Sequence, residues 1–320
     1  MQLKEISIEI IRKCPNNCIH CSSCSSIYRQ EMIPYEVICH VLDDAKLLGL
    51  QTICLSGGEP FLHPDFCRIV DYAYNLGVDI FVYTSGIFVQ KKEKTSIPAN
   101  ILENIRNKVT KLIFNIEAST EETYNFIMGT VGGFSLLINS VQTAVKLNIM
   151  CEAHFVPMKC NYLEISETIE LCENLGISKI SFLRLVPHGR AKKNRNKILL
   201  DEVETAELKK RLYNISMKMQ SIKVRIGTPL AGIECRHNCE AANGKLNIKY
   251  NGCVYPCEVF KNEDVVLLDG IKVDNIYIES LSKIYNSSLY LQKIRKLLLL
   301  YADFKDEENC IGQKFIRKEK

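Results

Sequence analysis

The sequence predicts an α/β fold: a partial (βα)6, TIM-like barrel followed by a smaller C-terminal module. Two observations point there. Residues 5–185 alternate short β-rich runs with amphipathic helical runs, the pattern of consecutive βα units on a parallel sheet. In the last third this alternation stops, and cysteines gather around a hairpin signal at Asn251-Gly252.

The expected strands are Glu5–Ile11, Thr52–Leu55, Asp79–Tyr83, Lys111–Ile116, Cys151–Val156 and Lys179–Leu183. Between them, Tyr35–Leu48 places Val37, Ile38, Val41, Leu42, Ala45 and Leu48 on one helical face. Asp65–Leu76, Ser135–Leu147 and Leu163–Leu175 read the same way, with Gly49, Gly77 and Gly176 where C-terminal caps belong. Six parallel strands make an incomplete barrel. Lys91–Lys94 and Arg190–Lys197 read as solvated basic loops, and Asp201–Ile222 as a helical stretch. Lys245–Tyr250 and Cys253–Tyr255 flank Asn251-Gly252, where a two-residue turn needs positive φ at both positions. A last helix spans Leu281–Leu300. The expected boundaries are 1–200 for the barrel, 201–230 for a linking helix and strand, and 231–320 for the C-terminal module.

Composition narrows the function. The 320 residues are 47% hydrophobic and 24% charged, as in a globular protein. A net charge of +4, from 41 basic and 37 acidic side chains, calls for neither nucleic acid nor an anionic membrane as partner. The N-terminus lacks a signal-peptide core, and Leu297–Ala302 is too short to span a bilayer, so a cytoplasmic location is expected. Fifteen cysteines in such a compartment suggest core residues and metal or cluster ligands rather than disulfides.

Cys14-Pro-Asn-Asn-Cys18-Ile-His-Cys21 follows the first strand directly. Three thiolates in a short loop suit an iron–sulfur cubane with one open iron. A zinc knuckle, or a closed cluster with Cys24 as fourth ligand, is the competing reading of the spacing.

The Cys-x3-Cys-x2-Cys pattern resembles the signature of radical S-adenosylmethionine (SAM) enzymes. The resemblance implies that Cys14, Cys18 and Cys21 hold a [4Fe–4S] cluster whose open iron is chelated by SAM. Ser56-Gly57-Gly58-Glu59-Pro60 resembles the GGEP motif of that family, implying that Gly57, Gly58, Glu59 and Pro60 receive the SAM amino group. Ser85, in Thr84-Ser85-Gly86, and Asn115 and Glu117, in Asn115–Ser119, fall where the family contacts the ribose and methionine of SAM. Leu183–Ala191 resembles a Pro-x-Gly-Arg-Ala segment of one subfamily. All of these motifs sit at strand C-terminal ends, where parallel barrels keep their active sites. One departure is Met128, where relatives carry an Arg for the SAM carboxylate; Arg184 is the substitute candidate.

Cys235, Cys239, Cys253 and Cys257 could by spacing form a four-thiolate zinc site. They also resemble the SPASM/twitch appendages of radical SAM enzymes. That resemblance implies one auxiliary [4Fe–4S] cluster held by Cys235, Cys239, Cys257 and Cys310, two clusters in all. It leaves Cys253 as a reserve ligand or substrate-facing thiol. Glu258, directly after Cys257, occupies the place of a catalytic base in some related dehydrogenases.

The implied activity is generation of a 5′-deoxyadenosyl radical for hydrogen abstraction. The implied substrate is a ribosomally made peptide that is crosslinked, oxidised or epimerised. A small-molecule dehydrogenase acting on a sugar, nucleoside or cofactor precursor is the alternative. A non-catalytic iron–sulfur or zinc protein is the alternative from another class. A flavodoxin- or ferredoxin-type electron donor is implied. With strand one opening four residues into the chain, leader recognition is expected from a separate protein, the barrel or the C-terminal module.

Overall fold

A computed structural model describes residues 2–217, 221–227, 230, 239–261, 271–300 and 310. The first half runs β1 (Glu5–Ile11), α1 (Tyr35–Leu47), β2 (Thr52–Gly57), α2 (Phe66–Asn75), β3 (Asp79–Thr84), β4 (Ile87–Gln90), β5 (Glu93–Ser96), α3 (Ala99–Ile105), β6 (Lys111–Asn115), α4 (Glu121–Met128) and α5 (Gly133–Lys146). It continues with β7 (Cys151–Phe155), α6 (Ile165–Asn174), β8 (Lys179–Phe182), α7 (Gly189–Lys193), α8 (Arg195–Ile198), α9 (Glu202–Ser216) and β9 (Lys223–Ile226). The last part holds β10 (Lys245–Ile248), β11 (Val254–Tyr255), α10 (Leu281–Ser287) and α11 (Leu289–Leu300). No helix among the described residues is long and apolar enough to cross a membrane.

One sheet runs in the order β11-β10-β1-β2-β3-β6-β7-β8-β9, with every pair parallel except β10–β11. The six expected barrel strands are β1, β2, β3, β6, β7 and β8. The structure extends them to eight parallel strands: β9 joins β8, and β10 joins β1 in the register Glu5↔Lys245. Both additions cover an edge whose N–H and C=O groups would otherwise lack partners. The chain after the barrel thus completes its sheet as well as following it.

Alternation along the strands sorts the two faces. Ile6, Ile8 and Ile10 of β1, Leu112 and Phe114 of β6, and Ile180 and Phe182 of β8 are buried on the apolar side that the helices cover. The alternate residues Ser7, Glu9, Tyr83, Ile113, Asn115, His154 and Ser181 face a cavity inside the barrel. That cavity holds about 750 Å³, within the usual range for small-molecule sites of about 300–1,000 Å³.

Four local expectations are corrected. Lys91–Lys94 is not a plain loop: β4 and β5 form an antiparallel hairpin across Lys91 (φ 50°) and Lys92 (φ 71°). Two positive-φ residues are what a type I′ turn requires, but here lysines fill the positions that Asn-Gly usually advertises. At the second hairpin only Gly252 has positive φ (83°), and Gly252 N donates to Lys249 O at 2.8 Å. That is a four-residue turn closed by a glycine bulge, so Asn251 needs no left-handed conformation. The expected last helix breaks at Ser288, which is extended (φ −57°, ψ 121°) and whose hydroxyl accepts from Leu291 N at 3.0 Å, starting α11 afresh. Arg190–Lys197 forms the short helices α7 and α8 rather than a solvated loop. The helical stretch after it starts with a capping box, Asp201 Oδ1 accepting from Glu204 N at 2.8 Å and Glu204 Oε2 from Asp201 N at 2.9 Å.

Candidate active site

The loop after β1 carries Cys14, Cys18 and Cys21, and three neighbours fix its backbone. From the end of α4, Met128 O accepts from Asn17 N at 3.0 Å and Ile127 O from Ile19 N at 2.9 Å. From α7, Arg190 N donates to Cys21 O at 2.9 Å, while its guanidinium donates to Cys18 O at 2.7 Å and Ser25 O at 2.8 Å. Asn194 Nδ2 adds a bond to Ile19 O at 2.8 Å. Arg190 had read from sequence as a solvated charge; its place in the Pro-x-Gly-Arg-Ala resemblance was the available signal.

All three thiols line the barrel cavity, and Cys24 does not. Burial pushes the Cys14 thiol well above its usual range, and the charges of Cys18 and Glu59 add to that. Cys18 is raised likewise, first by burial and then by Cys21. Thiols raised in this way, as at Cys14 and Cys18, become thiolates more readily when a cationic centre binds them.

The end of β2 lies hard against this loop. A Cβ on Gly57 would sit 2.2 Å from Ile11 O, and one on Gly58 would sit 2.1 Å from Lys13 O, so neither position accommodates a side chain. Gly58 N and Glu59 N donate to Ile11 O and Lys13 O at 2.6 and 2.8 Å. Of the residues expected to contact SAM, Gly57, Gly58, Ser85, Asn115 and Arg184 line the cavity, whereas Glu59, Pro60 and Glu117 do not. Glu59 is fully buried and accepts from Thr84 Oγ1 (2.7 Å), Ser85 N (2.8 Å) and Ser85 Oγ (2.6 Å). Burial lifts its carboxyl to about 7 despite these bonds. Its observed role is to brace the end of β3 and orient Ser85. Glu117 accepts from Val156 N at 2.8 Å and lies 3.4 Å from His20 Nε2, tying the cysteine loop to β7. Met128 lines the cavity with its sulfur 3.7 Å from Cys18 Sγ.

The C-terminal residues reach the same space. Glu258, Lys261 and Cys310 line the cavity beside the first three cysteines. Burial raises the Cys257 thiol, and Glu258, Cys310 and Cys239 are its further electrostatic neighbours, so three of the expected auxiliary ligands lie in one region of the protein. Cys235 lies outside the described residues. Cys253 does not line the cavity; its sulfur accepts from Asn275 Nδ2 at 3.6 Å. This corrects its reading as a substrate-facing thiol. Among the described residues, no three His, Cys, Asp or Glu side chains converge as ligands of a single metal ion do.

Ion pairs organise the cavity walls. Lys245 Nζ bridges Glu5 Oε1 (2.9 Å) and Glu258 Oε1 (3.3 Å), and Lys261 pairs with Glu9. Burial pushes the Glu258 carboxyl up, but Lys245, a backbone hydrogen bond and Lys261 together hold the group below its usual range. Opposite, Glu152 takes both Lys111 (3.0 Å) and Lys179 (2.7 Å). His154 lies beside them, pushed down from 6.5 to about 3 by burial and then by Arg225.

His154 is therefore neutral in the native state, whereas the unfolded chain protonates it below pH 6.5. The stability this confers is fully present above pH 6.5 and is lost as pH falls towards 3. His154→Gln is expected to flatten the fall in thermal midpoint over that window. Parallel midpoint curves for the two proteins would refute the assignment.

Comparison with known proteins agrees with this geometry. Residues 8–172 match the Radical SAM superfamily, and residues 239–312 match the SPASM iron–sulfur cluster-binding domain. The chain is 27% identical over 224 residues to the AdoMet-dependent heme synthase of Methanosarcina barkeri, covering 69% of this chain and 60% of the relative. It is 24% identical over 253 residues to the PqqA peptide cyclase of Ruegeria pomeroyi, covering 78% of this chain and 66% of that protein. The chain thus spans 60% and 66% of the lengths of these two curated relatives. Among solved structures, Streptococcus suis SuiB bound to S-adenosylmethionine superposes with a TM-score of 0.73 at 17% identity, over 92% of this chain and 68% of SuiB. With cysteine loop, parallel partial barrel and C-terminal module all accounted for, the chain belongs to the radical SAM superfamily and carries a SPASM domain, a combination that binds SAM and a [4Fe–4S] cluster and adds iron–sulfur binding in the SPASM domain.

Proposed function

We propose that the chain is a peptide maturase in which Cys14, Cys18 and Cys21 hold the SAM-binding [4Fe–4S] cluster. Cys235, Cys239, Cys257 and Cys310 hold one auxiliary cluster in this reading. The observation that carries it is the shared cavity: Cys14, Cys18 and Cys21 of the barrel and Glu258 and Cys310 of the C-terminal module line one space. A substrate in that space lies within reach of both thiol sets.

The residues fit the groups they would hold. Thiols raised by burial and by one another are relieved by binding iron. Asn16, between the first two cysteines, is 1% exposed and lines the cavity, with neither side-chain polar atom bonded among the described residues. Such a buried amide calls for a polar partner inside the cavity. Reduced cluster and SAM together supply a 5′-deoxyadenosyl radical, which takes a hydrogen atom from an unactivated carbon. Gly57, Gly58, Ser85, Asn115 and Arg184 position SAM from the strand ends, with Glu59 and Glu117 bracing them. Glu258, kept ionised by Lys245, would accept the proton released as the substrate radical passes one electron to the auxiliary cluster. An electron donor of flavodoxin or ferredoxin type completes the expected system.

The peptide substrate rests on the relatives: one is named a PqqA peptide cyclase, and SuiB has been solved bound to precursor peptide SuiA. The heme synthase relative keeps a small-molecule substrate as the second reading. Anaerobic reconstitution with dithionite, SAM and each short peptide encoded beside the gene tests the choice. A mass change in one peptide, with 5′-deoxyadenosine formed, is expected. Production of 5′-deoxyadenosine with every peptide unchanged would turn the reading to a small molecule.

Glu258→Gln is expected to keep both clusters and 5′-deoxyadenosine formation while slowing product by about 10²–10⁴-fold. Deuterium from labelled substrate still reaches 5′-deoxyadenosine, because abstraction precedes proton loss. Product at the normal rate would make Glu258 a bystander, and loss of the second cluster would make it structural.

A further inference from the structure

The cavity walls differ in charge. On the β1 and β10 side, Glu5, Glu9 and Glu258 face two lysines, Lys245 and Lys261. On the β6 to β9 side, Lys111, Lys179 and Arg225 face the single carboxylate of Glu152. The surplus cation there is Arg225, which makes no hydrogen bond or ion pair among the described residues while it lines the cavity.

Arg225 stands at the end of a row of donors. His154 pairs in register with Ser181, and Ser181 with Arg225, so the three project from adjacent strands about 4.8 Å apart. Ser181 is 1% exposed, lines the cavity, and its hydroxyl has no partner. His154, neutral, offers one ring N–H. A buried hydroxyl without a partner is destabilising, and a ligand oxygen in the cavity relieves it. Guanidinium, hydroxyl and imidazole side by side, above Glu152 and the two lysines paired with it, match a planar oxyanion that guanidinium can grip through both oxygens.

Resting on the peptide-maturase reading, we propose that the His154–Ser181–Arg225 row seats a substrate carboxylate, the side chain of a glutamate or aspartate in the peptide. The seat shares the cavity with Glu258, so it anchors one residue of a substrate that also reaches that carboxylate. Arg225 is exposed on the edge strand β9, and specificity for an acidic residue follows from the charge-assisted bonds that its guanidinium gives a carboxylate and cannot give a neutral isostere.

The test uses reconstituted full-length protein and three probes: N-acetylglutamate α-amide, N-acetylglutamine α-amide and inorganic pyrophosphate. Dissociation constants come from ligand-observed NMR titration. The glutamate probe is expected to bind at least about tenfold more tightly than the glutamine probe, and Arg225→Gln is expected to remove that preference. Ser181→Ala is expected to weaken the glutamate probe in the same direction. Equal binding of the two amino-acid probes to the unmutated protein would overturn the proposal, whatever the variants do. Tighter binding of pyrophosphate would overturn it in favour of a phosphorylated substrate. SAM cleavage by the unmutated protein is measured alongside. Cleavage with no probe preference sinks the carboxylate seat alone, and probe preference without cleavage sinks the enzyme reading alone.

Discussion

Replacing Cys14, Cys18 and Cys21 together by alanine is expected to abolish dithionite-dependent formation of 5′-deoxyadenosine. These thiols line the cavity beside Gly57, Gly58, Ser85 and Asn115, and Cys24 does not line it. Cys24 is therefore not placed to rescue the cluster, and Cys310, which does line the cavity, is counted with the proposed auxiliary set. The auxiliary set is formed by other residues, so the triple variant should keep about half of the iron and sulfide of the parent. The loop backbone is held by α4 and α7, not by the thiols, so far-ultraviolet circular dichroism and the thermal midpoint of the metal-free proteins should agree. Residual SAM cleavage would overturn the ligand assignment. Zinc in place of the remaining iron would restore the four-thiolate zinc reading of the C-terminal cysteines.

Arg190→Ala is expected to shed the first cluster without unfolding the barrel. The guanidinium joins Cys18 O to Ser25 O, at 2.7 and 2.8 Å, across the ligand loop. Hydrogen bonds from a charged donor contribute about 1.5–3 kcal/mol each, and losing both frees the segment that carries two of the three ligands. Bleaching of cluster absorbance by a chelator should accelerate at least about tenfold. Arg190→Lys should fall between, since an ammonium is a point charge and lacks the planar fork that reaches two carbonyls at once. Equal bleaching rates for Arg190→Ala and the parent would show that α7 merely lies against the loop.

Much of the architecture was legible along the chain. All six barrel strands lie within two residues of their expected ends, because alternating apolar residues and flanking turn signals are local properties. Elements were missed where the local signal was atypical. The β4–β5 hairpin turns on two lysines, whereas β9 and β10, four residues each, fall in the expected linking strand and second hairpin, and only their pairing with β8 and β1 had no local signal. The candidate site divides in the same way. Spacing pointed to the cysteines and the glycine turn, both contiguous motifs. It could not show that Glu59 and Glu117 spend their carboxylates on neighbouring backbone and hydroxyl groups, since Ser85 and Val156 are distant in sequence.

What the sequence determined by itself is the chemistry on offer: three thiols in an eight-residue loop, glycines at a strand end, and a polar alternate face along β1 of Glu5, Ser7 and Glu9. What only the tertiary structure decided is the direction that polar face takes. Alternation in a strand says that one side is apolar, and the same pattern suits a sheet with its polar face in bulk water. Here the helices cover the apolar face and the sheet curves around the other, so Glu5, His154, Ser181 and Arg225 line a shared cavity with the cysteine loop at its rim. Charges that would be screened in solvent are there brought together, and that is why Arg190, the paired lysines and the donor row acquire their roles only in three dimensions.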